Sequence, residues 1–142
     1  MRRRHGFSLV ELIVTLVVAG ILLAVAVPRF TGSETQTVYF YEQVKAAVRF
    51  AQRQAVAQRR AVYVCVTTTS VSLGYNSTCS TSLPQPGTSA AYSINAPSGV
   101  LLSATNFSFN GLGQPSGAAT ITVSSSSQSF SIGVTAETGY VN

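Results

Sequence analysis

The chain has 142 residues, of which 46% are hydrophobic and only 9% charged; nine Lys/Arg against four Asp/Glu give a formal net charge of +5. That length accommodates one domain and one additional segment. After Arg60 the only formally charged side chain is Glu137, and the single His is His5, so a soluble cytosolic enzyme with a charged surface and a His-based catalytic set is a poor fit.

Residues 1–6, Met1-Arg2-Arg3-Arg4-His5-Gly6, form a short basic leader ending at a glycine. An apolar stretch follows from Phe7 to Val27, broken by Ser8, Glu11, Thr15 and Gly20 and ended by Pro28. At ~1.5 Å per residue it is roughly 30 Å long, the thickness of a bilayer core, so residues 7–28 are expected to form a transmembrane helix. The three arginines before it place that end in the cytoplasm by the positive-inside rule, which puts the rest of the chain on the extracytoplasmic side. The alternative is a secretory signal peptide. Its apolar core would be ~7–15 residues with a small-residue cleavage site; this run is longer, and Val27-Pro28-Arg29-Phe30 is a poor site. Glu11 is the unusual residue, because a carboxylate in an apolar segment is costly and is retained for function or kept near the headgroups.

Residues 29–60 are expected to continue as an amphipathic helix, from about Ser33 to Arg59. Val44, Ala47, Val48, Ala51 and Ala55 recur at helical spacing and form a narrow apolar face. Lys45, Arg49, Arg53 and Arg60 share another sector. They are the chain's candidates for contact with nucleic-acid phosphates; the simpler alternative is a solvated helix face. Pro28 is expected to kink or open the helix at its entry.

From residue 61 the pattern changes to β-branched and aromatic residues at alternating positions. Strands are expected over Ala61–Thr69, Val71–Tyr75, Ala91–Ile94, Gly99–Leu102, Asn106–Phe109, Ala119–Ser124 and Ser129–Val134. Asn76-Ser77, Pro84-Gln85-Pro86-Gly87, Pro97-Ser98-Gly99, Asn110-Gly111 and Gln114-Pro115-Ser116-Gly117 supply turn chemistry between them. The serines 124–127 fit a hairpin turn. The expected fold class is α+β: a long N-terminal helix packed on an antiparallel sheet, with residues 61–142 as the β domain.

Cys65 and Cys79 lie in the translocated part, where an oxidising compartment allows a disulfide; two unpaired buried thiols are the alternative. Two cysteines and a leader His make no metal set. Glu34, Glu42 and Glu137 are the only carboxylates after the apolar run, and no nucleophile has a base at a recognisable spacing. Gly111-Leu112-Gly113 precedes no helix and is a turn rather than a phosphate loop. No catalysis and no cofactor is expected.

Gly6-Phe7-Ser8-Leu9-Val10-Glu11 with its apolar run closely resembles the type IV prepilin signature. The resemblance implies cleavage between Gly6 and Phe7 by an inner-membrane prepilin peptidase, N-methylation of Phe7, and an assembly role for Glu11, whose carboxylate would neutralise the new Phe7 amine of the same or a neighbouring subunit. The segment Ala47-Val48-Arg49-Phe50-Ala51-Gln52-Arg53 through Val62-Tyr63-Val64-Cys65 resembles the helix-to-strand passage of the GspH/FimT pseudopilins. Phe107-Ser108-Phe109-Asn110-Gly111-Leu112-Gly113 and Thr138-Gly139-Tyr140-Val141 resemble that family's later strand, glycine turn and tail. What this implies is a pilin-like fold and a filament subunit of a type II secretion system or a type IV pilus. It would be anchored in the inner membrane by a single pass, with other pilins or pseudopilins and an assembly platform as partners. DNA-binding members carry two arginines after the tail glycine; here Tyr140 and Val141 follow Gly139, so the DNA-binding minor pilin is the alternative and nucleic acid is not the expected partner.

Overall fold

The structure, a computed structural model, describes residues 8–26 and 33–142. Helix α1 spans Leu9–Ala26 and helix α2 spans Ser33–Gln58. Seven strands follow: β1 Val62–Val66, β2 Ser70–Gly74, β3 Ser93–Asn95, β4 Leu101–Leu102, β5 Thr105–Phe109, β6 Ala119–Ser124 and β7 Ser129–Val134. Gly6, Phe7 and Pro28, with the cleavage site, methylation site and kink expected there, lie outside the described residues.

The packed helix is α2. Phe40, Val44, Ala47, Val48, Ala51 and Ala55 are all buried; their spacing of three and four puts them on one stripe. The alanines bring the backbone close to β1, where Val62, Val64 and Val66 turn alternate side chains inward. Helix α1 is different in kind. Every side chain from Ser8 to Ala24 is exposed, so the helical face packed on the sheets, as expected of the amphipathic segment, is that of α2. Among the described residues no helix is long and apolar enough to cross a membrane; the expected span includes residues beyond both described ends of α1.

The β domain is two antiparallel sheets rather than one. The first has order β3-β2-β1-β5 and the second β4-β6-β7. Breaks in pairing explain the division. Val100 N–H donates to Pro97 O (3.1 Å) across a turn with Gly99 at φ 82°, a conformation favouring glycine. That turn takes residues 99 and 100 from the expected strand and shortens β4. Likewise Thr67 N–H donates to Ser70 O (2.9 Å), and this reversal ends β1 at Val66. β6 and β7 match their expected limits. They form a hairpin closed by the Ser125 N–H to Gln128 O bond (2.8 Å), with Ile121 opposite Ile132. The two sheets share one core with α2, where Phe107 and Phe109 meet edge to face at 5.5 Å. Cys65 and Cys79 form a disulfide, which ties the 76–82 loop to β1.

Candidate assembly surfaces

At the start of α1, Leu12 N–H donates to Ser8 O (3.2 Å) and Glu11 N–H donates to Ser8 Oγ (3.3 Å). Ser8 is therefore the N-cap and Glu11 the third helical residue, the Ser-x-x-Glu spacing of a capping box. The sequence reading missed this, although the spacing carried the signal. The cap gives Glu11 a second role beside its expected one, since a carboxylate in the first turn interacts favourably with the helix dipole. Farther along, Thr15 Oγ1 donates to Leu12 O (2.9 Å), which satisfies the hydroxyl inside the helix itself. Gly20 has nothing within 4 Å of where a Cβ would stand. The result is an apolar cylinder whose side chains from Ser8 to Ala24 are all exposed among the described residues, with a notch at Gly20 and a carboxylate at Glu11.

Each of the four basic residues has a partner within the chain. Lys45 Nζ lies 5.5 Å from the Tyr41 ring centre and 3.5 Å from its hydroxyl. Arg49 Nη2 donates to Val141 O (3.0 Å). Arg53 Nε donates to Arg49 O (3.3 Å). Arg60, beyond the helix, stacks its guanidinium 3.7 Å above the Tyr75 ring.

The bond from Arg49 belongs to a clamp that ties the last residues to α2. Gln52 Nε2 donates to Gly113 O (2.9 Å) and to Thr138 O (3.2 Å). It thereby joins the glycine turn and the tail to one side chain. Gly113 and Gly139 are buried with φ of 82° and 68°; at Gly139 a Cβ would collide with Gly113 O and Gln52 Nε2. The tail then pairs with β7: Thr135 N–H donates to Tyr140 O (3.0 Å) and Asn142 N–H to Gly133 O (3.1 Å), with Val141 buried between them. Gln52 escaped the sequence reading because its partners lie 61 and 86 residues away, and no local pattern marks it.

Shallow clefts lie among the described residues. One, of about 170 Å³, is lined by Gln36, Tyr39, Phe40, Gln43, Asn95 and Pro97. The other, of about 250 Å³, is lined by Tyr63, Ser77, Asn106, Phe107, Ser108 and Ser116. Neither contains a carboxylate, a thiol or a cationic side chain. Beside α2, Tyr92 stacks on Phe50 at 5.2 Å, and burial raises the pKa of its hydroxyl. Among the described residues no group of three or more His, Cys, Asp or Glu could hold a metal ion.

Comparison with known proteins agrees with this architecture. Residues 1–27 match the prokaryotic N-terminal methylation motif, and residues 41–139 match the family described as type II transport protein GspH. A curated relative, the type IV narrow pilus major component PilA5 of Thermus thermophilus, is 39% identical over 64 residues, which are 44% of this chain. The matched stretch spans 55% of that relative's length. Among solved structures, the type IV minor pilin FimU of Pseudomonas aeruginosa superposes with a TM-score of 0.56 at 15% identity, covering 77% of this chain and 90% of that one. A second crystal form of FimU gives 0.55 at 13% identity, covering 77% and 85%. At such identities the likeness establishes the fold, a pilin-like helix on antiparallel sheets.

Proposed function

This chain belongs to the type II transport protein GspH family, and from that premise we propose that it is a pilin-like filament subunit that assembles through α1 after its leader is cut at Gly6–Phe7. The observation that carries the proposal is the bare apolar helix: every side chain from Ser8 to Ala24 is exposed in the single chain. A surface of that size is far above what a monomeric soluble domain leaves in water, so it needs lipid before assembly and neighbouring helices afterwards. The described helix is ~27 Å long, and the remaining residues of the 7–27 stretch complete a single inner-membrane pass with the β domain in the periplasm.

The chemistry of Glu11 follows from that setting. Cleavage before Phe7 creates an amine, which N-methylation leaves cationic. In an apolar filament core an amine and a carboxylate are far more stable together than apart. Pairing between Glu11 and the Phe7 amine of a neighbouring subunit would fix the axial register. Prepilin peptidase and an inner-membrane platform are the implied partners; the family description supports a type II secretion system and that of PilA5 a type IV pilus as the filament. The DNA-binding alternative gains nothing from the basic face, since Lys45, Arg49 and Arg60 are engaged within the chain.

The test is expression of Glu11→Ala and Glu11→Val in a strain lacking the native copy. Both variants are expected to be cleaved and membrane-bound, and to be depleted at least tenfold from sheared or periplasmic filaments. Normal incorporation of both would refute the role of Glu11. A wild-type chain that is never cleaved would refute the filament-subunit reading altogether.

A further inference from the structure

The cleft between Tyr63 and Ser116 lies on the face of the first sheet that turns away from α2. Strand parity puts it there. Val62, Val64 and Val66 point into the core, so Tyr63 and Cys65 point outward. Across the ladder Tyr63 stands opposite Ser108 of β5, and Cys65 opposite Asn106. Gly74 lets the 76–82 loop lie against this face. A Cβ there would stand 2.7 Å from Cys79 Cα and 2.9 Å from Thr81 O. Tyr75 N–H donates to Thr81 O (2.8 Å), Leu83 N–H donates to Leu73 O (2.9 Å), and Cys79 is bonded to Cys65. One rim of the cleft, which carries Ser77, is thereby fixed to the sheet. At the other rim Ser116 N–H donates to Ser108 O (2.8 Å), and Ser108 N–H donates to Ser116 Oγ (3.2 Å).

The groups between the rims are polar, neutral and only partly used. Asn106 Oδ1 accepts from Val66 N–H (3.2 Å), which orients the amide and leaves its Nδ2 as a donor. Tyr63 Oη, Ser77 Oγ and Ser108 Oγ make no hydrogen bond to any other described residue. Ser116 Oγ, an acceptor toward Ser108, still has its own proton to donate.

The lining decides what the cleft can hold. Its volume of about 250 Å³ is below the range for drug-sized ligands and suits one small ring. It has no charged side chain, so it cannot hold a phosphate, a carboxylate or an ammonium group by charge-assisted hydrogen bonds. A peptide strand would need an open backbone edge, and the β5 edge beside the cleft is occupied by Pro115 and Ser116. A sugar ring matches both parts of the lining. Its hydroxyls donate and accept in turn, as the serines, the Tyr63 hydroxyl and the Asn106 amide do, and its C–H face can lie against an aromatic ring. We propose that this cleft binds a neutral sugar ring, with Asn106 Nδ2 and Ser108 Oγ as its hydrogen-bonding partners and Tyr63 as its apolar contact. The site belongs to the β domain and does not depend on the filament-subunit reading; in a filament its copies would repeat, and weak single sites combine by avidity.

The test titrates N-acetylglucosamine, galactose and glucose into the ¹⁵N-labelled full chain, held in a detergent without a sugar headgroup. Each sugar is taken to about 50 mM, because so small a ligand is expected to bind with a Kd in the millimolar range. At least one is expected to give saturating shifts at the Asn106 side-chain amide and at the backbone amides of Ser77 and Ser108, where glycerol at equal concentration gives none. Asn106→Asp keeps the acceptor for Val66 N–H and loses the donor; Ser108→Ala removes a hydroxyl that the fold does not use. Each is expected to weaken binding about threefold or more, the scale of one hydrogen bond, with the Cys65–Cys79 bond intact. Tyr63→Leu keeps an apolar side chain without the ring and is expected to weaken it similarly. No saturating shift from any of the three sugars, the same shifts from glycerol, or shifts confined to another face overturns the proposal. Undiminished affinity in both Asn106→Asp and Ser108→Ala overturns it as well, since binding would then not use these groups.

Discussion

At the scale of single residues, Gly139 shows how one position joins distant parts of the chain. Its φ of 68° lies in the left-handed region, and its missing side chain leaves room for the Gly113 carbonyl and the Gln52 amide. An alanine there meets two penalties, backbone strain and a collision with groups that are themselves hydrogen-bonded. Gly139→Ala is expected to destabilise the protein by more than about 1 kcal/mol, read from denaturant unfolding of the detergent-solubilised chain. Gln52→Ala removes two bonds and is expected to loosen the same junction, so hydrogen exchange at Thr135 and Asn142 should rise in both variants. Unchanged exchange would show that the pairing with β7 alone holds the tail. The glycine itself stood out in the sequence, whereas its reason did not. Nothing near residue 139 announces that residues 52 and 113 will converge on it.

At the scale of elements, legibility followed locality. The buried stripe of α2 was readable because five apolar residues repeat at helical spacing, and all five are buried. β6 and β7 were readable to the residue because each alternates cleanly between a core face and a wet face. The helix end was less so. Arg60 N–H donates to Ala55 O (3.2 Å) and Arg59 N–H to Val56 O (3.3 Å), which is a Schellman cap with Arg59 at the left-handed position, φ 50°. Glycine is the usual residue there; the expected end at about Arg59 came from the change of pattern after it and lies one residue past the observed one. Arg59→Gly relieves the conformation and is expected to stabilise the protein by about 1 kcal/mol, seen as a higher unfolding midpoint; an unchanged or lower midpoint would mean that the Arg59 side chain contributes as much as its backbone loses. The disulfide belongs to this scale as well. Cys65→Ser/Cys79→Ser frees a loop that closes over 14 positions, and the chain-entropy estimate puts the loss at about 3 kcal/mol. Equal unfolding midpoints with and without reductant would contradict that.

For the whole molecule, the two helices divide the work. α2 belongs to the β domain: it supplies part of the shared core and anchors the tail through Arg49 and Gln52. α1 gives the domain no buried side chain from Ser8 to Ala24, so its apolar surface is held in reserve for surroundings outside this chain. The sequence suggested this division, an apolar anchor over residues 7–28 and an amphipathic helix over 29–60 with a narrow Val/Ala face, because only the second segment has an apolar stripe beside a charged one. A consequence can be measured. A variant starting at Ser33 keeps every buried core residue found among the described ones and the tail clamp, and from Ser8 to Ala24 loses only exposed side chains. It is expected to be soluble without detergent, to retain the Cys65–Cys79 bond, and to unfold at the same midpoint as the full chain in a mild detergent that leaves the short form unaffected. A midpoint that falls on truncation would show that the anchor helix stabilises the domain. An equal midpoint would mean that assembly can pull on α1 without straining the β domain.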